Sequence, residues 1–332
     1  MLNRSFDAAE NFKTLRNPPS YKFETIPCYL CGSKSSEFFV VGEEDLTGKD
    51  GEFQYVKCSD CELVFQNPRV HPEQIKTFYD NEYIAHRKKT DWGVLTPLYE
   101  RAMNKHDRDK AKLVSHYVKL NSDSRILDVG CAVGTFLLHM KDTTGAKISG
   151  VDFKENLTFP RFGEIDFHCG LFYEQALPKN HFDLITMWHF LEHCYSPLDS
   201  LRMAAECVTD EGRIVVEVPR LDSVSFKLFG RKWPGVQAPK HTVLFDRARL
   251  IETAEAAGLE VVDYLPYGAF PPYFYLFAGS YFRMIGKGLK LDKIIAPYFL
   301  GQTLLTPVLM AQKRLNLAMQ TVVLRRPSGA KQ

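Results

Sequence analysis

Between Arg125 and Val218 the chain alternates short apolar runs with helix-like segments, and this alternation restricts the fold more than any other feature. The apolar runs are Arg125–Val129, Lys147–Asp152, Ile165–Cys169, Phe182–Trp188 and Arg213–Val218, with helical patterns near 135–141 and 197–208 between them. Strands that alternate with helices pair in parallel, because each crossover helix returns the chain to the same end of the sheet. The expected class is α/β: a doubly wound, mostly parallel sheet. A helix over Arg247–Ala257 ending at Gly258, a strand over Leu259–Tyr264 and a last strand at Gln320–Leu324 continue the series.

The chain has 332 residues, room for about two domains at roughly 150 residues each. Before the alternation begins, Cys28-x-x-Cys31 and Cys58-x-x-Cys61 stand 26 residues apart among short β-like runs. Two such knuckles bring four thiolates to one tetrahedral Zn²⁺, and Gly32 suits the tight turn of the first. A four-sulfur site leaves no open position, so the metal is expected to be structural. Cys131, Cys169, Cys194 and Cys207 fall singly and are expected to be small core residues. The organisation expected is a tail over 1–20, a zinc-ribbon module over 21–70, a helical bridge over 71–120, a catalytic domain over 121–265, and a helical cap with a final strand over 266–332.

Asp128-Val-Gly130-Cys131-Ala-Val-Gly134 follows the first strand of the series and opens a helix, the place where open α/β sheets bind ligands. The two glycines allow a sharp turn and close approach of a ligand. Position 132 is alanine and an acid precedes the loop, so the pattern departs from the dinucleotide fingerprint, which disfavours an NAD-dependent oxidoreductase. Asp152, at the end of the next strand, is placed to accept hydrogen bonds from the two hydroxyls of a ribose.

The run LDVGCAVGTFL followed by GVD resembles the class I S-adenosylmethionine-dependent methyltransferases, which have a Rossmann-like sheet. The resemblance implies that Asp128, Gly130, Cys131 and Gly134 face the methionine part of S-adenosylmethionine and that Asp152 binds its ribose. Phe182-Asp-Leu-Ile-Thr-Met-Trp-His-Phe-Leu-Glu-His193, with Pro197 after it, is similar to the fourth strand and loop of the broad family that includes ubiquinone-type O-methyltransferases, which implies that Met187, Trp188 and His189 sit beside the donor. Gly230-Arg-Lys-Trp233 and Pro239-Lys-His241-Thr-Val-Leu-Phe245 resemble the segment that closes over the acceptor. The cysteine module, Phe65-Gln-Asn-Pro-Arg and Phe78-Tyr-Asp-Asn-Glu-Tyr83 resemble a subgroup with deoxysugar C-methyltransferases and polysaccharide-pathway enzymes. That subgroup tends to carry Glu-His where this chain has Lys240-His241, which leaves a hydroxyl or amine acceptor as consistent as a carbon one.

Methyl transfer to a hydroxyl or carbon acid requires a base, for which His193 and His241 are the expected catalytic residues, with His189 and Glu192 behind them. Trp233 is expected to pack in the core rather than to platform an acceptor. A formal net charge of +2 supplies no global footprint for nucleic acid, so a small-molecule or glycan acceptor is expected, lipid-linked forms included. Rings from Tyr264 to Phe277 (Tyr264, Tyr267, Phe270, Tyr273, Phe274, Tyr275, Phe277) are expected to line its pocket. Alternative readings are a noncatalytic zinc-ribbon module on a nucleotide fold, or an RNA methyltransferase. The opening MLNRSFDAAENFKTLRNPP lacks the apolar stretch of a secretory signal, from which a cytoplasmic location is expected. Two stretches of 19 residues without a charge, after Asp263 and after Lys293, are interrupted by prolines, and Arg283, Lys287, Lys290 and Lys293 lie between them. This pattern leaves open a peripheral contact with a membrane.

Overall fold

The computed structural model describes residues 12–18, 20–79, 96–155, 159–289, 291–309 and 315–327. Most of the tail expected at 1–20, and residues 80–83 of the Phe78–Tyr83 run, lie outside them.

The N-terminal module is built on β2 (Ser36–Glu43), β3 (Glu52–Cys58) and β4 (Val64–Gln66), with β1 (Phe23–Glu24) paired separately to β5 (Arg69–Val70). Its fourth strand comes from far downstream: β11 (Val243–Leu244) pairs antiparallel with β4, Val243 opposite Phe65. The sheet is thus shared between the 21–70 segment and the loop that carries His241. A single helical turn, α1 (Pro72–Ile75), and the long α2 (Thr96–Val114) form the described part of the bridge.

The main sheet has seven strands in the order β12–β13–β10–β9–β6–β7–β8, where β6 is Arg125–Val129, β7 Lys147–Asp152, β8 Asp166–Cys169, β9 Phe182–Trp188, β10 Val208–Pro219, β12 Glu260–Leu265 and β13 Met319–Arg325. Strands β8, β7, β6, β9 and β10 are mutually parallel, and β13 inserts antiparallel between β10 and β12. The α/β class and the mostly parallel, doubly wound sheet expected from the alternation are present. β9 reads Phe-Asp-Leu-Ile-Thr-Met-Trp and is buried at every position except Asp183, as a strand covered on both faces requires.

The helices begin and end where the sequence provides caps. α3 (Thr135–Thr144) ends at Gly145 in the left-handed region, Pro197 opens α4 (Pro197–Cys207), and Ser223 caps α5 (Val224–Phe229) by accepting from the Phe226 amide. Asp246 caps α6 (Arg247–Ala256) in the same way through the Arg249 amide. Two further helices follow, α7 (Tyr273–Met284) and α8 (Leu291–Leu309). No helix among the described residues is long and apolar enough to cross a membrane.

One apolar cluster joins Cys28, Val56 and Phe65 of the module to Leu127, Ile185 and Val216 of the main sheet. Another surrounds Trp233, which is 1% exposed, donates its indole N–H to Ser225 Oγ (2.8 Å) and packs edge-on against Phe226. Trp233 is a core residue here, as expected.

Candidate active site and metal centre

The loop after β6 doubles back sharply: Gly130, Ala132 and Gly134 all have positive φ. A Cβ on Gly130 would lie 2.9 Å from Phe190, and one on Gly134 would run into the Ile165 side chain, so both positions need glycine. Asp152 stands under this loop, its Oδ2 accepting from the Ala132 amide (2.9 Å) and its Oδ1 from Lys154 (3.3 Å). Burial raises its proton affinity, and those amides oppose the rise. Asp128 accepts from Thr186 Oγ1 at 2.6 Å on the neighbouring strand, and burial pushes its carboxyl up to about 7. The Cys131 thiol is buried, and the bare Cα of Gly150 makes room for it: a Cβ there would lie 2.7 Å from the sulfur. Burial raises the thiol's pKa, which leaves it un-ionised and unreactive. Met187 is wholly enclosed in the main core.

Beside the loop, three consecutive elements converge. Trp188 packs edge-on against Phe136, with the Lys110 ammonium 5.2 Å from its ring. Its indole nitrogen and His106 Nε2 are buried without hydrogen-bond partners. His189 has φ 53°, which swings its ring between two buried acids: Nε2 is 3.3 Å from Glu217 Oε1 and Nδ1 is 3.5 Å from Glu192 Oε1. Burial alone would lower the imidazole's pKa, but the two carboxylates outweigh it and raise it to about 9, so this ring is cationic at neutral pH. Glu217 is fixed on its other side by the Ala269 and Phe270 amides at 2.6 and 3.1 Å, and Gly268 lets that loop close around the carboxylate. Both oxygens of Glu192, a residue only 1% exposed, lack a hydrogen-bond partner.

His193 and His241 meet with ring centroids 4.5 Å apart and planes at 83°. His241 Nδ1 lies 2.7 Å from the Gly235 carbonyl and His193 Nδ1 lies 3.0 Å from the Lys240 carbonyl. A carbonyl only accepts, so each ring hydrogen sits on Nδ1 and each Nε2 keeps its lone pair. Burial lowers the pKa of both rings, so both are neutral at pH 7. The Tyr79 hydroxyl lies 2.8 Å from His193 Nδ1, and Tyr55 donates to the His241 carbonyl at 2.6 Å. Ligand-type atoms of Glu192, His193 and His241 all lie within 4.8 Å of one another.

The structure therefore gathers the expected His189, Glu192, His193 and His241 on one side of the loop that carries Gly130 and Gly134. Glu217, Thr186 and Tyr79 were not singled out from the sequence. For Glu217 and Thr186 a signal existed, since a lone polar residue within an apolar run such as Val-Val-Glu-Val is buried and needs a partner. Tyr79 had none, because its contact with His193 spans 114 residues. The aromatic residues expected to line one pocket are divided. Phe270 packs against His189 (4.8 Å), Tyr273 and Phe277 pack against Tyr298, and Tyr264, on a strand of the sheet, lies beneath Arg247.

In the N-terminal module the four cysteines come together, with Cys28 and Cys61 Sγ 3.4 Å apart and Cys31 and Cys58 Sγ 3.5 Å apart. Each pair follows the same backbone turn, Gly32 N to Cys28 O and Glu62 N to Cys58 O, with φ positive at Gly32 and Glu62. These separations are close to the roughly 3.8 Å between ligands in a tetrahedron with metal–sulfur bonds of about 2.3 Å. The donor set and its spacing fit zinc.

The sequence profile of a family described as "Methyltransferase domain" matches residues 99–264, half of the chain. Among curated proteins, the ubiquinone biosynthesis O-methyltransferase of Aeromonas salmonicida is 29% identical over 153 residues, 42% of this chain and 64% of that protein. Its counterpart in Burkholderia multivorans is 28% identical over 203 residues, 56% of this chain and 80% of that protein. The chain spans just under two thirds of the first of these relatives. Among solved structures, the geranyl diphosphate C-methyltransferase of Streptomyces coelicolor A3(2) superposes with a TM-score of 0.48 at 11% identity, over 75% of this chain and 88% of that one. By its profile match over the strands and loops just described, the chain belongs to the methyltransferase-domain family.

Proposed function

We propose that the chain methylates a small-molecule or glycan acceptor, with His241 or His193 as the base that removes the acceptor's proton. The observation that carries this reading is the pair of neutral imidazoles, each with its Nδ1 hydrogen committed to a backbone carbonyl and its Nε2 lone pair left to act. S-adenosylmethionine, when bound, supplies an electrophilic methyl group on a sulfonium. The residues assigned to hold it are Asp128, Gly130, Cys131, Gly134, Asp152 and His189; Met187, wholly enclosed in the core, is not among them. Asp152 takes the ribose hydroxyls, the glycine loop gives its backbone, and His189 lies beside the donor. Asp128, near the sulfonium end, places negative charge where the donor is positive. Cys28, Cys31, Cys58 and Cys61 hold a structural zinc with no open position, so the metal takes no part in the transfer.

The donor assignment is tested by calorimetric titration with S-adenosylhomocysteine. Asp152→Ala should weaken binding by about tenfold or more, a loss of roughly 1.4 kcal/mol, and unchanged affinity would remove Asp152 from the site. The base is tested by single alanine variants of His193 and His241 on the methylated acceptor. One of them should lose about 10²- to 10⁴-fold in kcat with donor affinity kept. In the wild type the acid limb of kcat should fall below the ordinary histidine value, because burial lowers both rings. Near-wild-type turnover in both variants would place proton removal elsewhere.

A further inference from the structure

We propose that the face formed by α5, the C-terminal end of α7 and the outer side of α8 docks on an anionic lipid surface.

Apolar side chains are concentrated there. Met284 and Ile285 at the end of α7 are 83% and 71% exposed, and Val224 and Leu228, one turn apart on α5, are 47% and 53% exposed. The two helix ends are joined, since Arg283 donates to the Leu228 carbonyl at 3.2 Å and Gly279 of α7 abuts the Phe229 ring. α8, which packs on the other end of α7, carries a second exposed apolar pair. Tyr298 and Gly301 pack inward against Tyr273, whereas Leu300 and Leu304, again one turn apart, are 63% and 70% exposed. Side chains of this size at such exposure are ordinary when scattered, but a contiguous set marks an interaction surface.

The charge around this face decides what covers it. Lys227, Arg231 and Arg283 are exposed, and none has an acidic partner within ion-pair distance among the described residues. The acids that sense these bases are already committed, Asp222 beside Lys227 to Arg220 and Glu52 beside Arg231 to Arg16, each at 2.7 Å. Exposed apolar residues bordered by unpaired bases suit a bilayer bearing negative headgroups, where the former enter the headgroup boundary and the latter meet the surface potential. α8 is not long and apolar enough to cross, so the contact lies on the surface. α7 runs from this face back to the loop that carries Phe270, whose ring lies against His189. A docked enzyme would thus meet an acceptor held by a lipid anchor.

The test is flotation of the full chain with vesicles of phosphatidylcholine alone and of phosphatidylcholine mixed with phosphatidylglycerol. Binding to the mixed vesicles only, weakening as salt rises, is the expected result. Met284→Ser with Ile285→Ser, and separately Leu300→Ser with Leu304→Ser, should each reduce it by about tenfold or more. Lys227→Glu with Arg283→Glu should abolish the preference for the anionic vesicles. Affinity for S-adenosylhomocysteine, unchanged in all three, reports that the fold is kept and is independent of the docking. Absence of binding to the mixed vesicles, or equal binding to both kinds, overturns the proposal. So does concentration-dependent dimerisation that the same serine substitutions abolish, because a second copy would then be the occupant.

Discussion

His189 is one imidazole shared by two buried carboxylates, and its proton is therefore coupled to the fold. Its value of about 9 lies above the ordinary 6.5, so the folded state holds the proton more tightly than the unfolded one. The resulting stability is complete below about 6.5 and is lost as pH climbs through about 9. Glu217 acts in the opposite sense: burial alone would raise its proton affinity, but His189 and the loop amides together bring it below the usual carboxylate range. Its contribution is present above that range and lost as pH falls. The wild type should accordingly lose on the order of 2 kcal/mol between pH 7 and 10, measured by denaturant unfolding. His189→Gln, which keeps the shape but cannot carry the charge, should be less stable at pH 7 and nearly flat over the same interval. A parallel pH slope in the variant would show that some other group is responsible.

At the scale of elements, the cysteine module braces the loop that presents His241. Lys240, adjacent to that histidine, is wholly buried and pairs with the equally buried Glu44, while Lys232 reaches Glu43 and Asp45 at 2.6 and 2.7 Å. Glu44 also accepts from the Thr47 and Gly48 amides at 2.7 and 2.9 Å, so its carboxylate is held on the module's own turn as well as by the lysine. The Gln66 amide donates to the Thr242 carbonyl and Tyr55 to the His241 carbonyl, which grips the loop's backbone at and just after His241. Lys240→Met leaves Glu44 charged, buried and without its ammonium, which should cost roughly 3–5 kcal/mol. The double change Lys240→Met with Glu44→Gln removes both charges and should recover part of that loss. Chemical denaturation of the two single variants and the double variant measures the coupling. Additive losses would mean that the pair contributes no mutual stabilisation.

Across the whole molecule, what was legible in the sequence was local. The strand, loop and helix order, the glycine turn and the cysteine knuckles are each decided within a few residues by periodicity and by φ. What was hidden spans long separations: Lys240 meets Glu44 across 196 residues and Tyr55 meets His241 across 186. No pattern in one chain reports such pairs, which is why the pairing of β11 with β4, which completes the sheet of the cysteine module, was not foreseen. Those same long-range contacts fuse the units into one core. Trp233 packs against Tyr275 of α7 and belongs to a cluster that also holds Phe53 and Tyr55 of the module and Met319 of β13. If the core is continuous, release of zinc from protein loaded with the metal, followed with a chromogenic chelator, should coincide in temperature with loss of far-ultraviolet ellipticity. Trp233→Ala, a cavity in a shared core, should cost roughly 3–5 kcal/mol and move both transitions down together. Metal release well below the loss of ellipticity, or a Trp233→Ala shift confined to one of the two signals, would mean that the module and the catalytic sheet unfold separately.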